Sequence, residues 1–484
     1  MGIPSDVVLE KVRQGEVLKG VDLRDLQLEK AILVGARFPD CNLSGARLMG
    51  AEIRGSDLTG ANLEAADLRY SDLREADLRN AKLLRTRLSR CQLDDARLEG
   101  ADLGGAEVEG VTFVAACLAS TRWLEAVIND VDLSKVRSIE GADFAEADLD
   151  SVLFPGVDLK SVSFRDGNLR LVSFQKAQLG EVNFTGARFS RVTFDRAMAK
   201  NMQVREVKSV NCTFREVDFD GADFLGGLFE SCDLSLGRIK NADLRKSNFN
   251  KYTVARGAHF DGSNFSNAVL DGADFSGSSF KGAKLLGTSM RGTNLTGCDL
   301  SGADLTGALI EGANLTRVKL QGAVLPLAML LSKELMLEGL DLSGMALEGG
   351  SFVGVSWRGL NLARARLLKG NFQKADLSRA DLTGAELSGS DFTEANLAGA
   401  KLTGARLEGA ELRTANLKGA DLNGAVLTGA NALWKDVRLA SFGPETLLGL
   451  TLHGEIGGLP QKNLPGSFEV KKNLAAMLHA LKDG

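Results

Sequence analysis

A large aliphatic residue returns every five positions at Leu43, Leu48, Ile53, Leu58, Leu63 and Leu68, and this spacing restricts the fold more than any other property of the 484-residue chain. From residue 44 the pentads read SGARL, MGAEI, RGSDL, TGANL, EAADL, RYSDL, READL and RNAKL without a break. With the large residue as i, a small residue stands at i−2, and Asp, Asn, Glu, Arg or Lys usually stands between them. A helix repeats every 3.6 residues and a strand every 2, so a period of five requires a repeat architecture of its own. Repeat proteins lengthen by adding units, so the length implies one elongated body rather than several globular domains.

Glycine is abundant at 55 residues and proline scarce at 7. Glycine suits regular corners with positive φ, whereas proline would remove donors that stacked strands need. There is no apolar run long enough to span a membrane and no signal-peptide pattern after Met1, so a soluble, cytoplasmic protein is expected. Of the six cysteines, Cys41, Cys91, Cys212, Cys232 and Cys298 occupy i−2 and Cys117 lies one position off. They read as small core fillers rather than as a disulfide or metal framework.

Residues 1–17 are expected to form an N-terminal helical cap, with Ser5 as N-cap, Asp6 in the first turn and Val8, Leu9 and Val12 on one apolar face. Residues 18–325 carry the repeat. The large residue keeps step from Leu23 to Leu133, then reappears clearly at Phe144, eleven positions on, so one extra residue enters near 138. In the next phase Phe144, Phe154, Phe164, Phe174, Phe184 and Phe194 come at every second pentad, with valine at i−2. If a coil has four sides, that period sets the rings on two opposite sides of the interior. A second one-residue slip is expected between Val254 and Phe260, near 258. Residues 326–340 break the pattern and read as an inserted helix or loop, with Pro326 at its start and Gly339 at its end. The repeat resumes over 341–432. Residues 433–484 form a tail that closes in an amphipathic helix from Phe468 to Lys482, with Val470, Leu474, Leu478 and Leu481 on one side. Such an end would protect the unpaired edges of the last coil.

The motif of a small residue, Asp or Asn, Leu, any residue and Gly resembles the pentapeptide-repeat family, as in GADLT at Gly302 to Thr306, GANLT at Gly312 to Thr316 and GADLN at Gly419 to Asn423. The resemblance extends over about Leu23 to Leu427. It implies an all-β fold, a right-handed quadrilateral β-helix in which four pentapeptides make one turn and both i and i−2 point inward. About twenty coils at a strand spacing of about 4.8 Å would reach about 100 Å.

Catalysis needs converging titratable groups, and a filled square coil offers few concave places to gather them. The three histidines are scattered, His259 at a slip and His453 and His479 in the tail, and no metal-ligand spacing, phosphate loop or nucleophile elbow is present. A non-enzymatic protein is therefore expected, without catalytic residues, cofactor or metal. Outward positions must carry the function, and two readings compete. The resemblance implies that members shaped and charged like B-form DNA bind DNA gyrase or topoisomerase IV, and that long bacterial members act as scaffolds or adaptors near type VI secretion loci.

Mimicry of DNA calls for a sustained acidic track. The formal net charge is only −5, and many residues stacked at intervals of twenty alternate in sign, as in Asp67, Arg87, Glu107 and in Arg366, Glu386, Arg406, although Asp57 and Asp77 stack alike, as do Asp391 and Glu411. The one strong local imbalance is residues 101–150, with eleven acids against three bases (net −8), followed by 151–200 with four against eight (net +4). The candidate partner surface is accordingly Asp130, Asp132, Glu140, Asp143, Glu146, Asp148 and Asp150, with a second, apolar candidate at Leu327, Leu330, Leu331 and Met336. The expected partner is a protein, with no direct nucleic-acid binding, no membrane and a homodimer formed through the C-terminal tail.

Overall fold

The computed structural model describes residues 3–325, 341–453 and 467–470, together with Ala475 and His479. The chain divides into two units, Met1–Val269 and Leu270–Gly484. Each is a parallel β-solenoid built on one rule, which the pentad Ala61 to Ala65 illustrates. The Asn62 N–H donates down to Cys41 O (2.8 Å), the Leu63 and Ala65 N–H groups donate up to Lys82 O and Leu84 O (2.7 and 2.8 Å), and the Ala61 N–H closes a turn onto Leu58 O (3.0 Å). Four of the five donors are thus held by neighbouring coils or by the turn. The fifth, the Glu64 N–H, donates to the Asn62 side chain at 3.1 Å, so no donor of the pentad is left unpaired. Ladder partners lie four pentads apart, as Asn42 and Asn62 do, giving four sides per coil. Each corner needs a left-handed residue. Gly60 supplies one freely at φ 66°, while Ala65 adopts φ 56° against an intrinsic cost of about 1–2 kcal/mol.

The first unit opens with α1 (Ser5–Arg13), whose Val8 is fully buried. The N-cap position belongs to Pro4, and Ser5 is already the first helical residue with no side-chain cap, which corrects the sequence expectation. Proline is at home beside a helix start because it has no N–H to satisfy. On one side of the solenoid the bridges widen into an eight-stranded parallel sheet: β1 (Glu107–Glu109), β2 (Val127–Asp132), β3 (Asp148–Leu153), β4 (Asn168–Arg170), β5 (Arg188–Ser190), β6 (Lys208–Val210), β7 (Leu228–Glu230) and β8 (Asn248–Phe249), in sequence order.

The first register step is visible in the ladder. Thr112 pairs with Asp132 at the regular offset of four pentads, but Cys117 pairs with Ser138, one position further on, and Ile139 takes the next buried large position. The second step lies upstream of the 254–260 interval expected from sequence. Leu228 still pairs with Asn248 at the regular offset, whereas Asp233 pairs with Val254, again one position further on. Val254 is an outward ladder residue, and Thr253 and Ala255 are the buried ones. A valine outside and an alanine in the large slot disguise the step.

The phenylalanines form two columns. Rings one coil apart stack nearly parallel, as in Phe144–Phe164 (5.2 Å) and Phe164–Phe184 (4.9 Å), while rings half a coil apart meet edge to face across the interior, as in Phe154–Phe164 (5.7 Å) and Phe164–Phe174 (5.5 Å). Both arrangements suit the ring quadrupole.

In the second unit the ladder runs from Asp274, paired with Asn294, to Asn431 and beyond. Lys319 pairs with Asp341, so the chain there advances only two positions more than a regular coil. Residues 326–340, expected as an inserted helix or loop, lie outside the described residues. Past Ala430 one further coil is built from β9 (Asn431–Leu433), a short α2 (Trp434–Val437), a 3-10 turn (Pro444–Leu447) and β10 (Thr451–His453), which pairs parallel with β9. The tail departs from expectation at Phe468, which lies in an edge strand, β11 (Ser467–Glu469), antiparallel to β10 and opposite Leu452. Hydrogen bonding to the open edge of β10 outweighs the helical pattern there, and among the described residues of 468–482 only Ala475 and His479 are helical. Leu474, Leu478 and Leu481 lie outside the described residues.

Candidate interaction surface

The outward side chains divide by what they do for the backbone. Asp or Asn at i−1 accepts the N–H of i+1, the donor that no neighbouring coil satisfies: Thr59 N donates to Asp57 (3.1 Å), Gly104 N to Asp102 (3.1 Å), Ala145 N to Asp143 (3.1 Å) and Ser301 N to Asp299 (3.1 Å). The recurring acid of the pentad is therefore a structural cap. Where Arg stands at i+1, its guanidinium folds back onto the same carboxylate. Arg69, Arg74 and Arg79 lie 2.6 Å from Asp67, Asp72 and Asp77 on three successive sides of one coil, and Arg245 repeats the arrangement on Asp243 at 2.5 Å. Hydrogen bonds from these arginines hold the four carboxyls below the usual aspartate range. Sequence stacking paired Asp67 with Arg87, but the structure gives Asp67 to Arg69. The signal that was present is the tripeptide Asp-Leu-Arg. Ladder pairs do form at Arg87–Glu107 (3.7 Å), Arg366–Glu386 (3.5 Å) and Lys401–Asp381 (3.6 Å).

The acidic block of 101–150 is not gathered on one side. Asp132 pairs in a ladder with Thr112 and Leu153, Asp143 in another with Arg122 and Ser163, and Asp148 in a third with Val127 and Asn168, while Glu140 follows Ser138 of the fourth. Asp130 and Glu146 sit at left-handed corners. The basic block of 151–200 stacks one coil further on and answers several of them: Lys160 reaches Glu140 (3.4 Å), Arg165 reaches Glu146 (3.9 Å) and Arg170 pairs with Asp150. Asp148 accepts from Asn168 at 2.7 Å and Asp132 accepts the Ser134 N–H at 2.8 Å. Leu327, Leu330, Leu331 and Met336 lie outside the described residues.

All six cysteines are free. Burial pushes Cys91 up to about 11 and Cys298 up to about 12, so neither is a thiolate near neutral pH. The buried Cys212 and Cys232 interact with each other: their hydrogen bond lowers Cys212 and raises Cys232. His259 is an exposed ladder residue, His453 lies 3.4 Å from Asn431 Oδ1 and His479 lies edge-on to the Phe442 ring. Among the described residues no group of three His, Cys, Asp or Glu side chains is placed to hold a metal ion, and no helix is long and apolar enough to cross a membrane.

A feature missed by block counting is a shallow depression of about 570 Å³ over β4 to β6, lined by Arg170, Arg188, Lys208, Asn168, Ser190 and Val210 among others. It becomes readable once positions 168, 188 and 208 are written as one column.

A parallel coil of four pentapeptides with i and i−2 buried is the arrangement that the family description "Pentapeptide repeats (8 copies)" captures, and that description matches residues 17–122, 139–208, 212–250, 253–330 and 341–429. The chain belongs to the pentapeptide-repeat family. Solved structures similar to this pentapeptide-repeat chain include HetL, a protein involved in heterocyst differentiation regulation from the cyanobacterium Nostoc sp. strain PCC 7120, at 20% identity over 65% of this chain and 96% of that one, with a TM-score of 0.17. Another is a trypsin-treated form of QnrB1, a plasmid-mediated fluoroquinolone resistance protein, at 23% identity over 44% and 92% of the two chains, with a TM-score of 0.20. A third is tailspike protein 3 of bacteriophage CBA120, at 12% identity over 66% and 58%, with a TM-score of 0.21. No curated protein sequence matches the chain.

Proposed function

We propose that this pentapeptide-repeat protein is a non-enzymatic scaffold or adaptor whose outward sides hold partner proteins. The observation that carries the reading is the destination of the acids. Those at i−1 cap backbone N–H groups, and Glu140, Glu146 and Asp150 pair with bases one coil on. A surface that stands in for a duplex needs an unbroken row of uncompensated negative charge, because its partner's groove is built for phosphates. Charge spread over four ladders and paired at Glu140, Glu146 and Asp150 instead suits solubility and coil register, and leaves individual sides free for specific contacts. Inward positions are filled by buried side chains, which gives a substrate little room inside the coils.

The kind of partner we propose is a protein, bound in the cytoplasm without direct nucleic-acid or membrane contact. By family resemblance, secretion or cargo proteins are the first class to look for. A crosslinked pull-down from the native host tests the reading, with Asp143→Lys/Glu146→Lys/Asp148→Lys as the comparison protein. Secretion or cargo proteins recovered by both proteins support it. DNA gyrase or topoisomerase IV recovered by the wild type and lost from the variant would overturn it in favour of DNA mimicry.

A further inference from the structure

The side built by β1 to β8 sorts its charge along the stack. Acids occupy one part, Glu107 and Glu109 on β1 and Asp148 and Asp150 on β3, and bases the next, Arg170 on β4, Arg188 on β5 and Lys208 on β6. Arg188 and Lys208 are register partners on adjacent strands, both exposed, and among the described residues no carboxylate forms an ion pair with either. Like charges directly opposite each other in a sheet repel. Described ladder neighbours include acid on acid, as at Asp57–Asp77 and Asp223–Asp243, and base on acid, as at Arg122–Asp143, whereas here base meets base, over a depression that a facing surface could cover.

We propose that this side docks on a second copy of the same chain, running antiparallel. Two copies meeting face to face are related by a two-fold axis that lies in the interface, and here it runs parallel to the strands between β3 and β4. That operation sets β1 on β6, β2 on β5 and β3 on β4 of the other copy, and keeps each residue at its own end of the strand. Glu107, which Arg87 of its own chain approaches at 3.7 Å, then faces the partner's Lys208, and Asp150 faces the partner's Arg170, each contact occurring twice. Because Arg170 already pairs with Asp150 of its own chain, the centre becomes a cluster of four alternating charges. The partner's β1 to β3, with their acids, lie over the basic depression. Other registers do worse. An axis on β3 puts Asp148 against its own copy, and an axis between β4 and β5 keeps only Asp148 opposite Lys208 as a charged pair. The six strands in contact span about 24 Å at about 4.8 Å each. The contact is therefore smaller than the roughly 800 Å² per partner of stable complexes, and the dimer exchanges readily and weakens with salt.

Sedimentation equilibrium of the full-length chain over a concentration series, at low and high salt, tests this. The expected result is a reversible dimer whose Kd rises at least tenfold in high salt, in Glu107→Lys and in Lys208→Glu. The double variant Glu107→Lys/Lys208→Glu re-creates the pair with its sign exchanged and should return the Kd to within about threefold of wild type. Both residues are exposed, and circular dichroism of each variant verifies the fold. A monomer at every concentration would overturn the proposal. So would a dimer indifferent to both single changes, or a double variant no better than the singles.

Discussion

Replacing Phe174 by alanine should open a cavity that the solenoid cannot close. The ring is fully buried, stacks on Phe154 and Phe194 at 5.2 and 5.0 Å, and meets Phe164 and Phe184 edge to face at 5.5 Å each. Loss of the buried apolar surface alone accounts for about 2–3 kcal/mol. Four ring contacts at about 0.5 kcal/mol each, the low end of their range, add about 2. The sum, about 4–5 kcal/mol, lies at the upper end for truncation of a buried phenylalanine. The upper end is expected because the backbone ladder holds coils at a fixed separation, as in Phe174 N to Thr193 O at 2.8 Å, so neighbours cannot collapse into the space. In a solenoid the loss is felt first by the coil concerned and its neighbours. Hydrogen exchange read on peptides covering residues 152–195 is therefore the assay, supported by denaturant unfolding. Amides there should exchange faster by on the order of a thousandfold, while peptides covering residues 40–80 stay as in the wild type. Phe174→Leu should recover more than half of the loss. A change in Phe174→Ala smaller than the burial contribution alone, below about 2 kcal/mol, would refute the idea that stacked columns rather than the ladder alone hold this region.

Acidification gives a second check. The Asp67, Asp72 and Asp77 carboxyls are depressed by hydrogen bonds from Arg69, Arg74 and Arg79, so their contribution is complete above the unfolded aspartate value of about 3.9 and is lost as pH falls through the lower folded values. The chain should weaken only below about pH 4, and NMR titration of these carboxyls should show the low values rise in Arg69→Ala, Arg74→Ala and Arg79→Ala. Thiol labelling of the native chain at pH 8 should reach Cys117, the half-exposed cysteine, well before Cys91 or Cys298, which are buried and shifted up to about 11 and 12; mass spectrometry of labelled peptides reads the order. Ser209 sits at an inward position with a buried hydroxyl that has no hydrogen-bond partner. Ser209→Ala should therefore stabilise the coil by about 1 kcal/mol, seen as a higher denaturant midpoint.

The architecture was legible because its rule is local. Ala and Leu two apart face the same side of any extended segment, but a pair that returns every five residues can stay inward only if the chain turns once per pentad, and the first register step showed where a large residue arrived late, as at Phe144 after Leu133. Failures came where a residue of ordinary character took an unusual side. Val254 faces outward and Ala255 inward, which moved the second step, and Phe468 joined a strand because β10 offered it a hydrogen-bonding edge. The candidate surface was less legible. Counting charge in blocks of fifty residues ignores that a coil closes every twenty, so Asp132, Asp143 and Asp148 fell on separate ladders and the bases of the following block came to lie beside Glu140, Glu146 and Asp150.

By itself, then, the sequence determined what repeats: the coil, the residues that fill it and the columns they stack in, since each follows from contacts within a pentad or at a fixed offset of twenty. The tertiary structure decided how each outward charge is used. Asp67 has Arg69 beside it and Arg87 above it, and which of the two it takes depends on side-chain reach. Likewise, the acidic and basic strips of β1 to β6 share one flat side only because the register carries them there.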